Sequence, residues 1–140
     1  MARKDPYHGF RFLVECEGLV TGGFSRVKGL TRETKYESYR EGGVLDFEHK
    51  LASNTIYPPL VLEHGLADKT LWDWHREVVE GEVTRRKISI ILKDEKGTEV
   101  WRWHADEAFP VKWSVADLDA ASSQVSVETV ELVHHGLREG

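Results

Sequence analysis

His104 and Asp106 stand two residues apart, so on an extended strand they share a face and could hold a cation together. No third ligand follows at a recognisable spacing, and packing or solvated histidines are the plainer reading. His134 and His135 are adjacent and point to opposite faces of a strand, so one metal cannot take both. Cys16 falls on the apolar face of a predicted strand, the place of an inert buried thiol rather than a nucleophile. Ser122-Ser123 occupy a small-residue corner with no partnered base in view. Gly22-Gly23 and Gly42-Gly43 lack the flanking pattern of a phosphate loop. Trp72, Trp74, Trp101, Trp103 and Trp113 offer the aromatic faces a sugar platform needs, yet no cleft is visible for them. The plainer reading has Trp74 packing a helix on a sheet and Trp101 with Trp103 filling a core or a subunit contact. No catalytic, cofactor or metal constellation emerges, and an enzyme is not expected.

The elements that must carry these residues are mostly strands. Residues 10–17 alternate, with Phe10, Phe12, Val14 and Cys16 on one face. A turn over 18–23 follows, with Gly22-Gly23 the expected place for positive φ. A second strand over 24–30 is interrupted at Gly29. Residues 31–40 form an extended run of Thr, Tyr and charges, with neither face apolar enough for a core. Such a strand is solvated or pairs with a neighbour, and no proline blunts its edge. Residues 41–59 read as a long loop whose apolar members imply docking. A strand over 60–64 is stopped by Gly65. The one helix spans 68–80, with Leu71, Trp74, His75 and Val78 as its stripe. Thr70 with Asp73, or else Asp68, supplies the cap, and Gly81 ends it. Strands over 86–93 and 99–105 flank a turn at 94–97, and strands over 109–114 and 125–134 flank a corner at 116–124. In the last strand Val125, Val127 and Val133 fall on one side and Val130 and Leu132 on the other, which calls for cover on both faces. The expected fold is mainly β: two packed antiparallel sheets, as a sandwich or small barrel, with one helix and a long loop.

The chain has 140 residues, a size for a single domain spanning 1–140. Its formal net charge of −5 argues against a nucleic-acid binder. No apolar run is long enough for a transmembrane helix, and no signal peptide is expected. The lone cysteine excludes an internal disulfide and fits a reducing cytosol.

Several segments, taken in order, resemble the tail tube protein family of contractile phages and phage-like contractile injection systems. They are Asp5-Pro6-Tyr7 with Phe10-Arg11-Phe12-Leu13-Val14-Glu15, then Gly23-Phe24-Ser25-Arg26-Val27-Lys28-Gly29-Leu30, then Tyr39-Arg40-Glu41-Gly42-Gly43. Leu62-Glu63-His64-Gly65-Leu66 leading to Leu71-Trp72-Asp73-Trp74 looks like the family's strand-to-helix junction. Arg85-Arg86-Lys87-Ile88-Ser89-Ile90, Phe109-Pro110-Val111-Lys112-Trp113 and Glu128-Thr129-Val130-Glu131-Leu132 complete the set. One departure is Leu51-Ala52-Ser53-Asn54, where the family often carries Pro-Gly.

The resemblance implies a structural subunit with no cofactor that closes into hexameric rings, stacked as the hollow inner tube of a contractile tail or injection system. It implies assembly in the bacterial cytoplasm and then a place in a virion or extracellular particle. The implied partners are the chain itself, a sheath protein, the baseplate hub and spike, a tube-terminating protein, and DNA or effector cargo in the lumen, without direct membrane insertion. Two alternatives share the architecture: a baseplate adaptor that initiates the tube, and a secreted ring-forming effector carrier of type VI secretion. The expected ring and stacking contacts are Thr31, Glu33, Lys35, Tyr36, Glu37, Tyr39 and Arg40 from the extended run. Val44, Leu45, Phe47, Leu51, Ile56 and Tyr57 join them from the loop.

Overall fold

The computed structural model describes residues 7, 9–40, 42, 48–117 and 125–140. The strands are β1 (Phe12–Cys16), β2 (Leu19–Lys28), β3 (Glu33–Tyr39), β4 (His49–Ile56) and β5 (Leu60–Ala67). Helix α1 (Lys69–Val79) follows, then β6 (Arg86–Lys93), β7 (Glu99–Asp117), β8 (Val125–Val133) and β9 (Gly136–Glu139). Among the described residues the protein is mainly β with one short helix.

Strands β6, β1, β2, β5, β8 and β7 are hydrogen-bonded in that order, and β7 pairs back onto β6. The sheet is therefore a closed antiparallel barrel rather than two stacked sheets, and closure removes its free edges. The inward alternation makes this possible. Val14 lies opposite Ile90, and Ile90 opposite Trp103, so three neighbouring strands turn apolar side chains to one interior. Helix α1 adds Leu71 and Trp74 to a core that includes Phe24, Leu62, Ile88, Val130 and Leu132. Strand β9 lies beside the first half of β7, continuing the line that β8 leaves.

Strand β7 is one long strand where the sequence suggests two. Its first half pairs with β6 and its second with β8, and Glu107, at φ 54, marks the bend between them. Pro110 is accommodated next to an irregularity in the β8 register, a place where a missing N–H breaks no regular ladder.

The two-sided apolar pattern of the last strand has an internal solution. Val127, Val130 and Leu132 are all buried in the same core although they differ in parity. The inward face changes phase along the barrel, from Leu60 and Leu62 to Ala67 on β5 and from Phe24 to Val27 on β2. On β5 the change coincides with His64, whose φ of 54 turns the backbone. The chain covers these three residues of its last strand by itself.

Other expectations are corrected. Gly65 does not stop β5, which runs on to Ala67 with Gly65 facing Phe24. Gly22 and Gly23 lie inside β2, and the left-handed residues are Glu17 and Gly18 at the tight β1–β2 turn and Gly29 just past β2. Asp68 is the N-cap, its carboxylate accepting from the Thr70 N–H at 2.8 Å, so the Thr70 box is not used. Gly81, at φ 96, follows the helix as expected. The largest correction is the long loop: its residues 49–56 form β4. They pair with β3 from Glu33↔Ile56 to Tyr39↔His49. Polar residues on both faces of β4 had hidden the period-two signal.

Candidate assembly surface

The β3–β4 pair forms a two-stranded sheet of its own. Every residue of β3 is exposed, and so are the six central residues of β4. Cross-strand pairs hold the arm together. Thr34 and Thr55 share a hydroxyl hydrogen bond of 2.8 Å, Tyr39 stacks on His49 at 5.0 Å, and Lys50 lies 5.5 Å from the Tyr36 ring centre. Arg40 and Glu48 approach to 3.5 Å beyond them. Successive residues alternate across the arm. With the register shift between Thr34 and Tyr36 absorbed as a bulge on β4, Glu33, Lys35, Glu37, Tyr39, Leu51 and Ile56 share one face, and Thr34, Tyr36, Ser38 and Lys50 share the other.

Of the expected contact residues, Glu33, Lys35, Tyr36, Glu37 and Tyr39 lie on β3 and Leu51 and Ile56 on β4. Thr31 and Arg40 flank β3 and are exposed. Tyr57 sits half-buried just past β4, with its ring 5.6 Å from that of His134. Val44, Leu45 and Phe47 lie outside the described residues.

His104, Asp106, His134 and His135 are occupied by structural bonds, and Ser122-Ser123 lie outside the described residues. His104 shares a 2.7 Å hydrogen bond with the Ser89 hydroxyl, and burial, with Arg138 and other cations nearby, holds its pKa below the usual histidine value. Asp106 is gripped by Arg138 at 2.8 and 3.2 Å, and those hydrogen bonds lower its pKa. His134 is buried and its Nδ1 meets the Gly136 carbonyl at 3.2 Å, while His135 contacts Arg85 at 3.0 Å. Burial also pushes the Cys16 thiol pKa up, as suits an unreactive thiol. Among the described residues no group of three His, Cys, Asp or Glu side chains gathers as a metal site.

The tryptophans divide. Trp74 is buried in the core, donating to the Thr84 carbonyl at 2.7 Å. Trp101 and Trp103 stack at 4.6 Å beside a cleft of about 180 Å³, lined also by Leu30, Arg32, Arg138 and Glu139. Trp72 meets Trp113 edge-on at 5.7 Å, and with His75, Arg76 and Val79 they line an open groove of about 300 Å³ between α1 and β7. The sequence reading missed this groove. Its signal was apolar residues at outward helix positions: Trp72 is 45% exposed and Val79 73%.

Residues 8–138 match the family model of the T4-like virus tail tube protein gp19. The chain belongs to this tail tube family. A tail tube protein is a structural component and not an enzyme, which accords with side chains engaged in structural bonds. The fold is shared by solved structures. A chain of the six-fold symmetrised baseplate of the anti-feeding prophage aligns with a TM-score of 0.70 and 28% identity, covering 99% of this chain and 97% of that one. A chain of the extended sheath–tube complex of the PVC extracellular contractile injection system also gives 0.70, at 22% identity over 96% and 91%. Hcp1 of Flavobacterium johnsoniae aligns at 0.51 and 15%, over 94% and 95%, a likeness of fold. No curated protein matches the sequence.

Proposed function

We propose that this tail tube protein is a single-domain subunit that closes into hexameric rings, stacked as the inner tube of a contractile injection particle. The observation that carries this reading is the β3–β4 arm. A two-stranded sheet with exposed faces is marginally stable alone in water, so it fits a surface completed by another copy. Seven of the thirteen expected contact residues lie on the arm's two strands, Glu33, Lys35, Tyr36, Glu37 and Tyr39 on β3 and Leu51 and Ile56 on β4. The six-fold symmetry of the anti-feeding prophage structure, and the sheath–tube setting of the PVC chain, support the hexamer and the sheath as a partner. In this role the arm gives mechanical rigidity, an acidic lumen lets DNA or effector cargo slide, and baseplate and terminator proteins close the two ends. Head-to-tail contacts that close give rings, and stacking gives the filament.

Negative-stain electron microscopy with light scattering tests this. Six-fold rings stacked into tubes are expected. A 16.0 kDa particle under all conditions, including co-expression with sheath and baseplate proteins, overturns it. Rings that never stack assign the chain to the baseplate end, and rings that enclose a guest protein assign it to effector carriage.

A further inference from the structure

We propose that the face of the β3–β4 arm bearing Glu37, Tyr39 and Leu51 seats in the groove between α1 and β7 of a second copy. The inference rests on the ring-and-tube reading and names the place where the arm lands. The two arm faces differ. On one, Lys50 already covers Tyr36. On the other, Leu51 is 54% exposed directly opposite Glu37, so an apolar side chain and a carboxylate project together.

The groove has the complementary character. Trp72, Val79 and Trp113 are apolar, and Arg76 carries the cationic side. At about 300 Å³ it lies at the lower limit of ligand pockets and suits a protruding side chain. Among the described residues Arg76 has one ion-pair partner, Asp73, at 3.8 Å, and Glu37 has none. Bringing Leu51 onto Trp72 and Val79 removes exposed apolar surface from both sides and carries Glu37 toward Arg76. The Trp101 cleft, which also offers Arg32, is the competing seat, but its Arg138 is already held by Asp106 and its Glu139 repels the Glu37 carboxylate. Tyr39, Leu51, Trp72 and Val79 are all exposed within one chain, so the pairing joins different copies. Arm and groove are different surfaces, so the contact is head-to-tail and propagates.

The test is a cysteine pair, Leu51→Cys with Val79→Cys, in a full-length Cys16→Ala protein, oxidised after assembly. The expected result is a non-reducing ladder of multiples of 16.0 kDa, with no ladder from Leu51→Cys paired with Trp101→Cys. A second route avoids cysteines: Glu37→Arg raises the concentration needed for assembly about tenfold, and adding Arg76→Glu restores it. Normal particles that ladder only through position 101, or that show no rescue by the charge swap, overturn the docking site while leaving the tube reading intact. A wild-type chain that never assembles removes both.

Discussion

Phe24 and Gly65 are direct partners across the β2–β5 pairing, and the Phe24 ring stands over the hydrogen face of Gly65. A Cβ at position 65 would lie 2.6 Å from the Phe24 ring and 2.0 Å from the Gly23 carbonyl oxygen. The backbone contact gives no room to yield, so β5 passes through this point only as glycine. Gly65→Ala is expected to cost about 3 kcal/mol, at the upper end of overpacking penalties, as read by urea denaturation. A loss below about 0.5 kcal/mol would show that β2 and β5 can separate freely here.

Trp72 and Trp74 are two residues apart and should behave oppositely. Trp74 is 1% exposed and hydrogen-bonded, so Trp74→Ala should cost about 3–5 kcal/mol in urea melts. Trp72→Ala should cost under about 1 kcal/mol by the same measurement, because its ring is already half in water. Its effect should appear in assembly instead.

His134 and His104 both have pKa values lowered chiefly by burial. The unfolded chain therefore takes up more protons than the folded one once the pH drops below the ordinary histidine value. Their contribution is complete above about pH 6.5 and is lost as the pH falls through the lower folded values. Thermal melts should show stability declining between about pH 7 and 5, and His134→Asn should flatten that decline. A slope unchanged in the variant would place the proton uptake elsewhere.

Arg102 joins two carboxylates, Glu15 at 2.8 Å and Glu99 at 2.7 Å, and those hydrogen bonds raise its pKa further. The side chain is partly exposed, so the pairs are screened. Arg102→Met should cost about 1 kcal/mol in low-salt urea melts and measurably less in high salt. A salt-independent loss would mean that packing of its stem over the sheet dominates.

Leu51→Asp separates folding from assembly. Leu51 is exposed on an arm outside the barrel core, so the urea midpoint should move by less than about 0.5 kcal/mol equivalent. Ring formation followed by light scattering should fall sharply. A variant that assembles as well as the parent would remove this face of the arm from the contact.

By itself the sequence determined the elements whose signals are local. The i, i+3 stripe of Leu71 and Trp74, the glycine after α1 and the strand over 86–93 each depend on neighbours a few residues away, and each appears where expected. The family was legible too, because it is written in ordered segments along the whole chain. Only the tertiary structure decided what depends on distant partners. Strand β4 exists because β3 lies beside it, and its polar faces carry no periodic hydrophobic signal. The barrel closes because β6 pairs with both β1 and β7, a choice between two partners that no local pattern states. The last strand shows the reason most plainly. Val127 and Val130 differ in parity, and alternation alone sends them to opposite faces. The folded barrel shifts the phase of its inward face along the strands and buries both in one core.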